Sequence, residues 1–222
     1  MEVNISRIGF FVIVLLFPSS ALAQALFSEG VLEYSVQIKS VKDSVDRQGT
    51  YLIQMKDGNA RKELKLNDGY SNVGIINFNS RRYVFLQKIN HQPYAVEMTE
   101  KEYRKQTAKY LGAAYKREGT WLPENVEKQD QLPGQKWIVK YKDGKDFIVY
   151  VSEKYILQHP EIFEHSPQLK GVPVFFQIAM ENGYTMSFRL EKCLPEPVSN
   201  AVFRIPEGYR IISKQEYDKL AK

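Results

Sequence analysis

Gly171-Val172-Pro173-Val174-Phe175-Phe176-Gln177-Ile178-Ala179-Met180 runs into Glu181-Asn182-Gly183, and Tyr184-Thr185-Met186-Ser187-Phe188-Arg189-Leu190 follows. In the first arm Val174, Phe176, Ile178 and Met180 alternate with Phe175, Gln177 and Ala179. In the second, Tyr184, Met186, Phe188 and Leu190 alternate with Thr185, Ser187 and Arg189. Alternation with a period of two puts each set on one face of a strand. Asn182-Gly183 is the dipeptide of a two-residue type I′ turn, because both residues tolerate positive φ. The stretch therefore predicts a β-hairpin with one strongly apolar, aromatic face that something must cover or fill. Beyond it, Pro195 and Pro197 exclude a central strand. A short strand is expected to end in Phe203-Arg204-Ile205-Pro206-Glu207-Gly208-Tyr209.

Upstream, the same alternation recurs at short intervals. Phe27–Lys39 reads as one half-buried strand with Leu32, Tyr34, Val36 and Ile38 in phase. Gly49–Lys56, Arg61–Leu66, Asn72–Phe78, Arg82–Lys88 and Pro93–Met98 follow, separated by turn residues such as Asp57-Gly58-Asn59 and Asn67-Asp68-Gly69. This is the spacing of an antiparallel meander. Thr99 and Glu102 form a capping box ahead of a helix that carries Tyr103, Thr107, Tyr110, Leu111 and Ala114 on one side. Trp121–Asp130 reads as a loop, Lys136–Lys142 and Asp146–Val151 as strands. Ser152–Lys170 has no strand pattern, and its apolar residues, including Ile156 and Phe163, suit a segment crossing the concave side of a sheet. Ser213 and Glu216 cap a short C-terminal helix. The expected fold class is α+β: a strongly curved antiparallel sheet, a half-open β-barrel, covered by one or two helices and an apolar crossing segment.

The first residues read as a targeting segment. Arg7 precedes the apolar run Ile8–Phe17, and Ala21-Leu22-Ala23 is a small-x-small cleavage site. Residues 1–23 are thus expected to be a signal peptide and 24–222 a single domain, exported to the periplasm. No cysteine follows the cleavage site to take a lipid anchor. Cys193 is the sole cysteine in 222 residues, so no intramolecular disulfide forms, and a half-buried structural thiol is its expected role. The formal charge of +5 is spread along the chain without a nucleic-acid-reading motif. His159, Glu161, Glu164 and His165 are metal-ligand types, but Pro160 interrupts them and their spacing is not that of a metal site. With no nucleophile elbow and no phosphate loop, the sequence points to no catalytic residue, no cofactor and no enzyme.

Several short segments carry a family likeness: Phe27, Gly30 and Leu32 near the start, and Leu132-Pro133-Gly134-Gln135-Lys136 leading into Trp137–Tyr141. Leu169-Lys170-Gly171-Val172-Pro173 and the closing Phe203–Tyr209 complete the set. In this pattern the chain resembles the LolA-like periplasmic proteins, the outer-membrane lipoprotein-sorting superfamily, and within it the exported families of Bacteroidetes-type bacteria. Those families commonly read Ile-x-Gly-Tyr-Lys-Cys where this chain has Leu132–Trp137; Gln135 stands at the aromatic position and Trp137 at the cysteine. The resemblance implies a half-open barrel whose apolar concave face binds a lipid, an acyl chain or another hydrophobic molecule, with an envelope lipoprotein or membrane complex as partner. It transfers no ligand residue one by one. The strand pattern itself nominates Phe85, Trp137, Val139, Phe147, Phe176, Ile178, Met186 and Phe188 as cavity lining, and Tyr103, Tyr110, Leu111, Ile156 and Phe163 as the cover. The protein is expected to be a monomer, and the competing expectation for its role is an interaction or sensor domain, its interior fully packed, that holds a cell-envelope protein by its surface.

Overall fold

The computed structural model describes residues 25–40, 46–111, 119–124, 134–141, 146–163, 171–179 and 183–221. Of residues 108–111, 119–124, 134–141, 146, 147, 153 and 179 only the backbone is described. The expected signal peptide lies outside the described residues. Among them are thirteen strands in one sheet: β1 Ala25–Phe27, β2 Gly30–Ser40, β3 Asp46–Lys56, β4 Asn59–Leu66, β5 Ser71–Asn77, β6 Arg82–Ile89, β7 Gln92–Met98, β8 Gly119–Glu124, β9 Gly134–Tyr141, β10 Asp146–Leu157, β11 Gly171–Ala179, β12 Tyr184–Leu194 and β13 Arg210–Ser213. Among the described residues two α-helices accompany it, α1 Glu100–Leu111 and α2 Lys214–Leu220. The strand order is β13-β7-β6-β5-β4-β3-β2-β12-β11-β10-β9-β8, with β1 beside β10. The sheet is open and mixed, and it fits the curved-sheet α+β class.

The antiparallel expectation needs amendment at two places. β1 pairs with β10 and β13 with β7, both in parallel. Phe27–Lys39 is not one strand either. Gly30 adopts φ 149°, and a Cβ there would stand 2.4 Å from the Leu194 carbonyl oxygen and 2.7 Å from the Phe27 ring. Only glycine fits that corner, so the chain turns between β1 and β2 and each pairs with a different neighbour. Of the expected loop Trp121–Asp130, residues 121–124 belong to β8, where pairing with β9 supplies hydrogen bonds, and 125–130 lie outside the described residues. Ser152–Leu157 continues β10, because β1 and β11 offer edges on both sides; 158–163 then leaves the sheet, and 164–170 lie outside the described residues. The expected strand at Phe203–Tyr209 is absent. Asn200–Phe203 is a 3-10 turn capped by Ser199, and the strand comes after it as β13.

The opening hairpin is present, with a register one step from the expected one; 180–182 lie outside the described residues. A two-residue Asn182-Gly183 turn would set Ala179 opposite Met186. The observed register sets Ile178 opposite Met186 and Phe176 opposite Phe188. One step of register exchanges the faces of a strand. The tight turn would have put Phe176 and Ile178 on one face and Met186 and Phe188 on the other. The observed pairing unites them, and all four are buried on that shared apolar face.

The sheet curls about its long β2–β12 pairing. β5 and β10 are six positions apart in the strand order, which in a flat sheet is about 29 Å at ~4.8 Å per strand. Yet Phe78, just past β5, stacks on His159, just past β10, with ring centroids 4.9 Å apart. The concave side holds the main core, with Leu32, Tyr34, Ile53, Val96, Val172 and Phe176 all buried. The convex side of β5–β7 has its own cluster, Val73, Ile75, Val84, Leu86 and Ala95, covered by Phe203, Ile205 and Tyr209. The proline-containing segment after β12 is therefore a strap over the outside of the sheet. Its start is tied down by Glu29, which accepts from the Val198 amide at 2.7 Å, and by Lys56, which bridges Glu29 at 3.0 Å and donates to the Val198 carbonyl at 3.3 Å.

Candidate functional site

The concave face rises from a ladder of aromatic contacts. Phe176 and Phe188, cross-strand partners on β11 and β12, stack with centroids 4.4 Å apart. Phe188 meets Tyr51 of β3 edge-on at 5.4 Å, and Phe176 meets Tyr34 of β2 at 5.6 Å. Phe163 closes the group against Tyr34 and Phe176, at 6.2 and 5.7 Å. Edge-on and offset pairs of this kind add about 0.5–1.5 kcal/mol each beyond area burial. The Tyr34 hydroxyl donates to the Pro173 carbonyl at 3.0 Å, and full burial pushes its pKa well above 10.0.

α1 is held over the other side of the trough. The Thr99 amide and hydroxyl donate to Glu102 at 2.9 and 2.8 Å, and the Glu102 amide donates back to the Thr99 hydroxyl at 3.3 Å. Those hydrogen bonds hold the Glu102 carboxyl below its usual range. The cap fixes the first turn, and Tyr103 in that turn stacks on Tyr83 at 4.2 Å and on Phe85 at 5.8 Å. α2 begins with a second reciprocal box, Ser213 with Glu216.

Between the ladder and these helices lies a cavity of about 1350 Å³. Small-molecule sites usually run to about 300–1,000 Å³, so this one has room for a ligand larger than a typical metabolite. Phe85, Phe176, Ile178, Met186 and Phe188 line it together, brought from opposite limbs of the curled sheet, and Tyr103 overhangs it. Trp137 and Val139 lie on β9 and Phe147 on β10, with side chains outside the described residues, as are those of Tyr110 and Leu111 on α1. Phe163 is buried beneath the cavity in the aromatic ladder. Ile156 is a strand residue, paired with Leu26 on one side and Gly171 on the other.

Sequence reasoning missed part of the lining: Tyr51, Lys62, Ile76 and Met98 from the sheet, and Lys214 and Tyr217 from α2. Lys62 did leave a signal. It stands in phase with Ala60, Leu64 and Leu66, so alternation alone places a cation on the apolar side of β4. Of the metal-type residues, His159 lies 3.0 Å from Glu161 and against Phe78; Glu164 and His165 are outside the described residues. No helix among the described residues is long and apolar enough to cross a membrane.

No protein-family model and no curated protein matches the chain. Solved structures resemble it loosely. PNGF-II is 12% identical over 86% of this chain, with a TM-score of 0.45; the match covers 32% of PNGF-II, so this chain spans about a third of its length. An uncharacterized conserved protein from Thermus thermophilus is 10% identical over 84% of this chain and 91% of its own, also with a TM-score of 0.45. A putative outer membrane lipoprotein-sorting protein domain from Vibrio parahaemolyticus is 8% identical over 90% of this chain and 94% of its own, with a TM-score of 0.26. TM-scores this low carry neither a ligand nor a partner across.

Proposed function

We propose that this chain is an exported binding or carrier protein for a lipid, acyl chain or other hydrophobic ligand of the cell envelope. The observation that carries this reading is the 1350 Å³ cavity walled by Phe85, Phe176, Ile178, Met186 and Phe188. Phe176 and Phe188 already stack on each other, so what supports the reading is the space beyond them: protein interiors approach crystal density, and room of this size beside an apolar wall suits a ligand. Each buried CH₂ of a ligand contributes about 0.8 kcal/mol, so a long chain binds tightly with few polar contacts. The leader-like residues 1–23 support a periplasmic setting, and a lipoprotein or membrane complex would be the donor or acceptor of cargo. In this reading the protein binds and carries without catalysing a reaction.

The test is native mass spectrometry of the mature chain, beginning at Gln24 and purified without detergent. The expected spectrum contains an adduct of lipid mass that organic extraction removes. Ile178→Trp, which fills the cavity from β11, lowers its occupancy several-fold. A clean apo mass, with no uptake of added acyl chains by the folded protein, would move the assignment to the interaction domain.

A further inference from the structure

The sheet side of the cavity is graded along its strands. The register lines up three rows across β4 to β7. The lowest is Ala60, Ile76, Tyr83 and Met98, each opposite the next, and all four are buried. Just past it Phe78 stacks on His159 across the curl, so the two limbs meet at this end. The middle row is Lys62, Gly74, Phe85 and Val96. The top row is Tyr51, Leu64 and Asn72, and Gln87 stands where the β5–β6 register continues one step past Val73–Leu86. Every member of the top row is only half-buried. From Ile76 to Asn72 the strand climbs about 14 Å. Among the described residues, the cavity therefore runs from a closed apolar end to a more accessible one.

The chemistry changes along the same axis. Asn72 and Gln87 line the cavity at the accessible end, and Gln106, one turn along α1 from Tyr103, lines it from the helix. Asn72 donates to the Tyr70 hydroxyl at 3.3 Å. Gln87 and Gln106 are half-buried, and among the described residues their amides make no side-chain hydrogen bond. An amide offers donors and an acceptor without a charge. The charges around the cavity are committed elsewhere. Lys62 has an interaction of its own, Glu102 accepts from the Thr99 amide and hydroxyl, Lys214 pairs with Asp218, and Lys105 is exposed to solvent.

We infer that the ligand is an amphiphile with an uncharged, hydroxyl-rich head, a glycosyl group on an alkyl or acyl chain, bound with its tail toward the Ile76–Met98 end and its head among Asn72, Gln87 and Gln106. This rests on the hydrophobic-carrier reading and adds the head and its direction to it. A hydroxyl pairs with an amide in both senses, donating to the carbonyl oxygen and accepting from the NH₂ group. A carboxylate only accepts, and a quaternary ammonium does neither. Each matched hydrogen bond contributes up to about tenfold in affinity. A charged head brought to the same place would lose water with no uncommitted buried charge to meet it.

The experiment is calorimetric titration of the delipidated mature chain with dodecyl maltoside, laurate and dodecyltrimethylammonium, each below its micelle concentration. The three carry an apolar chain of similar length and differ in head. The wild-type protein should bind the maltoside about tenfold more tightly than either ion. Gln87→Leu and Gln106→Leu, on separate elements, should each bring the maltoside several-fold closer to the ions. Equal wild-type affinity for all three, or a preference for either ion, overturns the head assignment and leaves the carrier reading standing. A maltoside preference that both leucine variants keep in full overturns the placement of the head. Failure of the folded wild type to bind any of the three overturns both the head assignment and the carrier reading. If one leucine variant does not fold, the wild-type comparison and the other variant decide the question.

Discussion

Cys193 lies on β12 opposite Leu32, half-buried beside the aromatic ladder, and its environment sets its reactivity. Burial pushes the thiol from 9.0 to about 11, against a smaller opposing pull from Lys154. At neutral pH the thiolate fraction is then about a hundredfold below that of an ordinary cysteine. The thiolate that does form is the more nucleophilic for its higher pKa, which returns about a factor of ten. Alkylation by iodoacetamide at pH 7.5 is therefore expected to run about tenfold slower in the folded protein than in urea. Equal rates in the two states would contradict the burial of this side chain. The stability linkage has the matching sign. Below pH 9 the thiol is protonated in both states and contributes no pH dependence. Between 9 and about 11 the unfolded chain loses its proton first, so this group erodes stability as pH rises. Tyr34 acts in the same direction at still higher pH.

The strap after β12 is the element whose attachment has the clearest electrostatic handle. Its far end covers Val73, Ile75, Val84 and Leu86 with Phe203, Ile205 and Tyr209. Its near end hangs on Glu29, whose carboxyl is held below 4.5 chiefly by the Val198 amide and then by Lys56. A depressed carboxylate stabilises the folded state fully above its unfolded value, and that contribution is lost as pH falls through the folded one. Acid should therefore loosen the strap at this point before the sheet melts. Glu29→Gln reproduces the loss at neutral pH, where the amide keeps the shape and removes the charge. Hydrogen exchange at pH 7 should speed up at residues 198–203 in Glu29→Gln and stay unchanged in β2 and β3. Protection of 198–203 equal to wild type would show that the apolar cover alone holds the strap. Arg61 donates to the Val202 carbonyl at 3.4 Å in both proteins, so the comparison isolates the Glu29 tie.

At the scale of the whole molecule, what the sequence made legible was local. β3 to β7, both capping boxes and the apolar phase of β11 and β12 follow from alternation and turn residues within about ten positions of one another. What it hid depended on distant partners. β12 finds β2 across more than a hundred residues, Ser152–Leu157 become strand because β1 and β11 flank them, and β13 pairs in parallel with β7. The curl that sets Phe85 and Phe176 around one cavity belongs to this second class, as does the place of Tyr217 on its wall. Lys62 is the intermediate case, legible in phase and not in consequence. The curl also bears on stability. In the carrier reading, a ligand in the trough adds its own burial to that of Phe176, Ile178, Met186 and Phe188, which the fold already buries. A ligand that binds only the folded state adds about 2.7 kcal/mol at a hundred times its dissociation constant. The protein as purified in native form is thus expected to melt several degrees above the same protein refolded after organic extraction, and added laurate should recover the difference. Ile178→Trp should narrow the gap by raising the extracted form, because the indole occupies volume the ligand would otherwise fill. If extracted and native proteins melt together, the trough is stable without cargo, and the cavity is a permanent feature of the curl rather than a site waiting to be filled.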